Sequence, residues 1–107
     1  MAAKRLSELA KTVRSKNAGV DKITFDILFR HRQDYDLVRA SGALTIDTVA
    51  RLYRIPVERI SDFVLFDPAC AIKFTICRER ASGSPGDPDI FGSQQYAPLL
   101  DIEIPVS

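Results

Sequence analysis

A chain of 107 residues, 46% of them hydrophobic and 27% charged, is sized for one domain with one core. No apolar run approaches the ~18–20 residues of a membrane span, which excludes a helical membrane protein. A net charge of +1, with no aromatics interleaved among basic residues, argues against a nucleic-acid-binding protein. The first residues, Met1-Ala2-Ala3-Lys4-Arg5, lack the apolar core of a secretory signal, so the expected location is cytoplasmic.

The near-neutral total hides a gradient. Residues 1–32 carry eight Lys and Arg against three Asp and Glu, a local +5. Residues 81–107 carry four Asp and Glu and no Lys or Arg, a local −4. Two readings fit: the chain ends meet and offset each other, or the basic end forms a patch for an anionic ligand. Cys70 and Cys77 are seven positions apart, an odd offset that would point them to opposite faces if both lay on one strand. They read as two thiols in a reducing compartment, with no metal pattern around the single histidine, His31.

In chain order, Leu6, Leu9, Ala10 and Val13 suggest a helical turn over 5–9, followed by a strand over about 10–15. Gly19 ends the next turn, where a positive φ is easily tolerated. Residues 23–29 form the clearest strand: Ile23, Phe25, Ile27 and Phe29 should face the core, alternating with Thr24, Asp26 and Leu28. Asp34 opens a helix that Gly42 closes. Thr45 caps a second helix, with Ile46, Val49, Ala50 and Tyr53 as its core stripe and Ile55-Pro56 as its stop. Residues 60–66 and 71–77 read as strands around the Asp67-Pro68-Ala69-Cys70 turn, forming a hairpin or one long bent strand. The segment 82–89 is a loop by composition, 94–100 a short helix, and 100–106 a final strand that Pro105 places at an edge or an end. This order predicts an α+β fold, a ferredoxin-like sandwich with a mostly antiparallel sheet and helices on one face.

Three polar stretches are candidates for a site. Arg14, Ser15, Lys16, Asn17 and Gly19 place two cations, a hydroxyl, a carboxamide and a permissive turn within six residues. They could hold a carboxylate or phosphate, or be an ordinary solvated Asn/Gly turn. Ser84, Gly86 and Asp87 lie in a Gly/Ser loop that lacks the Gly-Lys-Ser/Thr ending of a phosphate-binding loop. Gln94 and Gln95 offer amides to a carbonyl or a partner backbone. Asp26 is a carboxylate in an apolar strand, expected to pair with an arginine or face solvent. No complete nucleophile, metal or cofactor set is present, and no cofactor is expected.

The motifs Arg14-Ser15-Lys16-Asn17-Ala18-Gly19, Leu44-Thr45, Phe66-Asp67-Pro68-Ala69, Gly83-Ser84-Pro85-Gly86-Asp87 and Gln94-Gln95-Tyr96-Ala97-Pro98-Leu99-Leu100 together resemble a short, functionally uncharacterised bacterial family. That family is in turn similar to the ferredoxin-fold domain fused to acyclic-terpene-utilisation proteins of the AtuA type. In the fused domain the first turn reads serine-glycine-aspartate-lysine-glycine. Here Lys16 and Asn17 replace the glycine and aspartate, and Ala18 takes the lysine position. The resemblance implies a small accessory subunit, a homo-oligomer or the partner of a larger AtuA-like protein, in carboxylate or acyl-CoA catabolism. The alternative is a small oligomeric enzyme acting on an organic acid, with Arg14 and Lys16 holding substrate charge and Asp26 or Asp87 as base.

Overall fold

The structure, a computed structural model, describes residues 3–19, 21–77 and 97–105. Its elements in chain order are β1 (Ala3–Arg5), α1 (Leu6–Leu9), β2 (Ala10–Asn17), β3 (Lys22–Phe29), α2 (Arg32–Ser41) and α3 (Ile46–Tyr53). A 3-10 turn (Val57–Arg59), β4 (Ile60–Phe66), a second 3-10 turn (Asp67–Ala69) and β5 (Ala71–Cys77) follow. A third 3-10 turn (Ala97–Asp101) leads into β6 (Glu103–Pro105). The main sheet has the order β2-β3-β5-β4 and is antiparallel throughout; β1 and β6 form a separate antiparallel pair.

The strong period-2 pattern of β3 sets the architecture. Ile23, Phe25, Ile27 and Phe29 are all buried, and the register places Ile76, Phe74 and Ile72 of β5 beside the first three. Phe25 stacks on Phe74 with ring centroids 4.6 Å apart, and Phe63 of β4 continues the stack at 5.8 Å. These side chains belong to one core cluster with Tyr35 and Val38 of α2 and Val49 of α3. The helices therefore cover one face of the sheet, which is the layering of a ferredoxin-like α+β sandwich. The hairpin reading of β4 and β5 holds over the other: they pair from Ile60↔Ile76 to Phe66↔Ala71.

Local chemistry explains the helix ends. Gly42 closes α2 in the left-handed region at φ 73°, as its position after the last turn predicts. Thr45 Oγ1 accepts the Thr48 amide at 3.2 Å, and Thr48 Oγ1 accepts the Thr45 amide at 2.8 Å, a reciprocal cap. Three expectations need correction. Helix α2 starts at Arg32, not Asp34, because the His31 carbonyl accepts the Asp34 and Tyr35 amides. Ile46 is exposed although it shares a helical face with Val49 and Ala50, because it sits in the first turn of α3, at the end of that stripe. Leu100 lies in a 3-10 turn, and the last strand begins only at Glu103, where β1 supplies a partner.

Candidate functional site

The pleat of β2 divides the candidate turn. Residues 14–17 belong to the strand, and the chain reverses between Asn17 and Lys22, with Gly19 at φ 89° and the Ala18 amide bonded to the Lys22 carbonyl at 2.8 Å. Successive strand residues point to opposite faces. Ser15 and Asn17 lie opposite Phe25 and Ile23, on the helix-covered side; Ser15 is buried, and both are engaged in contacts. Arg14 and Lys16 lie opposite Asp26 and Thr24, on the outer face. The cations therefore come together on one surface, and the hydroxyl and carboxamide do not join them. Ser84, Gly86, Asp87, Gln94 and Gln95 lie outside the described residues.

The cross-strand register lays the outer face out in rows. The central row runs Arg14, Asp26, Lys73, Val64 across all four strands. Asp26 is only 4% exposed. The Arg14 Nε donates to its Oδ2 at 3.1 Å, and Lys73 Nζ stands 3.8 Å from its Oδ1. Both cations remain more than half exposed, so their stems flank the carboxylate while their heads meet water. The next row runs Lys16, Thr24, Thr75, Asp62, with the two threonine hydroxyls within reach at 3.4 Å. Lys22, two residues before Thr24, shares this face by strand alternation. Among the described residues, Lys16 and Lys22 form no ion pair. Among the described residues, these four cations and two carboxylates leave the face positive, with Asp26 already shared.

Sequence reasoning named Arg14, Lys16 and Asp26 but not Lys73 or Lys22. Alternation within β5 and β3 puts both on the outer face. Only the cross-strand register tells that Lys73 stands beside Asp26.

A second polar cluster explains the Phe66-Asp67-Pro68-Ala69 motif. The Tyr35 hydroxyl donates to Asp67 Oδ1, and Arg32 Nη1 donates to the Asp67 carbonyl at 3.0 Å. Arg39 lies 3.9 Å from Asp67 and 3.8 Å from Asp36, while Arg32 lies 3.4 Å from Asp36. Two arginines thus meet two carboxylates, so this cluster locks α2 to the β4–β5 turn and leaves no net charge for a ligand. Burial, then the hydrogen bond and the negative charge of Asp67, push the Tyr35 phenol up to about 12. A shallow groove of about 580 Å³ runs along the end of α3, between Asp47 and Val57. Its Arg51 and Arg54 stand where cations complement the helix dipole.

Among the described residues, no three His, Cys, Asp or Glu side chains are grouped to hold a metal, and no helix is long and apolar enough to cross a membrane. Comparison with curated proteins and with solved structures gives no match. A family model does match, over residues 6–103, which takes in every element from α1 to the start of β6. The chain belongs to the family described as a domain of unknown function, DUF4387.

Proposed function

We propose that the chain is a small accessory subunit that docks on a larger protein of carboxylate or acyl-CoA catabolism and presents an anion-holding sheet face to it. The observation that carries this reading is the gathering of Arg14, Lys16, Lys22 and Lys73 on one open face around a single buried carboxylate. Such a face suits a carboxylate or phosphate, borne either by an acidic partner surface or by a ligand held between the two proteins. The nature of the partner rests on the resemblance to the domain fused to AtuA-type proteins. A lone enzyme gains less support: Asp26 is committed to two cations and closed to solvent, a poor arrangement for a general base.

Affinity purification of the tagged full chain from its native host tests the proposal. One larger protein of carboxylate or acyl-CoA metabolism should co-purify in constant ratio, release with rising salt, and be lost with Lys16→Glu/Lys73→Glu. A chain that purifies alone, or a partner retained by the charge-reversed variant, would overturn it.

A further inference from the structure

The two edges of the main sheet are unlike. β2 carries Lys11, Arg14 and Lys16 along its length, and cations on an exposed edge discourage pairing with another chain. β4, the opposite edge, has seven residues and a single charge, Asp62. It ends in Val64, Leu65 and Phe66, which are 46%, 42% and 49% exposed. No described strand pairs with its outer side. Among the described residues, unpaired peptide groups and large apolar side chains are therefore offered together, the combination that natural edges usually suppress.

We propose that β4 pairs antiparallel with β4 of a second copy of this chain, joining two four-stranded sheets into one of eight strands. Charge favours this occupant. Pairing about Val64 sets Val64 against its mate, Phe63 against Leu65 and Asp62 against Phe66. The two Asp62 carboxylates then stand four residues apart, about 13 Å along the strand at ~3.3 Å per residue, so no like charges oppose. A net charge of +1 does little to hold two copies apart. A stable interface needs about 800 Å² from each partner, more than one strand edge supplies. Exposed Leu52 of α3, which packs against β4, and exposed Val57, just before β4, extend the apolar surface.

The symmetry has a consequence for the cationic face. Antiparallel pairing about a two-fold axis requires that axis to be perpendicular to the sheet. Both outer faces then point the same way, and Arg14, Lys16, Lys22 and Lys73 of the two copies line one continuous surface. This dimer does not depend on the docking role proposed above.

Light scattering on the full chain across a concentration series tests it. The expected mass is twice 11.9 kDa, falling to the monomer in Val64→Lys with an unchanged circular-dichroism spectrum. Should that variant misfold, cysteine cross-linking in a Cys70→Ser/Cys77→Ser background gives the second reading. Val64→Cys should join to its own mate under a short bifunctional reagent much faster than Lys11→Cys on the other edge. A monomer at every concentration, a dimer that survives in folded Val64→Lys, or equal cross-linking at positions 64 and 11 would overturn the proposal.

Discussion

Asp26 is the residue where removing one partner and removing the other should have unequal effects. Its side chain is 6% exposed, whereas that of Arg14 is 58% exposed and that of Lys73 52%. Arg14→Ala strips a buried carboxylate of its one hydrogen bond from a described residue, which costs about 1–3 kcal/mol. Asp26→Asn keeps the shape and an acceptor for Arg14 Nε, and both cations are already solvated enough to stand alone. It should cost less than about 1 kcal/mol. Urea unfolding of the two variants checks the order; an Asp26→Asn loss larger than that of Arg14→Ala would refute this account. The sequence revealed half of this arrangement. A carboxylate within the apolar strand 23–29 is expected either to pair with an arginine or to face solvent, and the first of these is what the structure holds. Which arginine, and that a lysine from a strand 47 residues further on would join it, depended on register, which a single strand's pattern does not contain.

The tie between α2 and the β4–β5 turn is a contact between elements, and it is set by pH. Tyr35 is buried in the core, and its phenol, normally titrating at 10.0, is held up to about 12, first by burial and then by Asp67. Burial also raises the phenol of Tyr53. In both cases the folded state keeps its proton after the unfolded chain has lost it. The associated stability is therefore full below pH 10 and is lost as pH rises through the folded values. We expect the urea midpoint to fall from about pH 10 upward. In Tyr35→Phe the midpoint at neutral pH is lower, because the bond to Asp67 is gone, but its decline above pH 10 is shallower. An equally steep decline in that variant would remove Tyr35 from the explanation. At this scale the chain was readable wherever local chemistry decides. Thr45 as cap, Gly42 as helix end and the strands Ile60–Phe66 and Ala71–Cys77 follow from residue type and periodicity alone. The Tyr35–Asp67 tie spans 32 positions and left no local mark beyond a proline turn.

The molecule as a whole is closed by its ends, and there the charge gradient and the apolar pattern make different predictions about what holds them. The basic start and acidic finish do meet: β1 pairs with β6, and Arg5 lies 3.8 Å from Asp101. That ion pair is largely exposed, and such pairs contribute about 0–1 kcal/mol. Apolar burial is the larger effect. Leu6, Leu99 and Ile104 are each fully buried in the one core cluster, and the Leu6 amide bonds the Ile102 carbonyl at 2.8 Å. β1 escaped the sequence reading because three exposed residues, Ala3-Lys4-Arg5, carry no alternation to read. Its partner β6 was legible through Ile104 and Pro105. If this two-stranded closure belongs to the same cooperative unit as the main sheet, Ile104→Ala should lower the stability of the entire chain by about 2–5 kcal/mol. The shift should appear equally in far-ultraviolet circular dichroism and in hydrogen exchange of the β3 amides, while added salt changes it little. If the pair instead frays as a separate unit, Ile104→Ala will speed exchange only at the chain ends and leave the β3 amides and the main transition where they were.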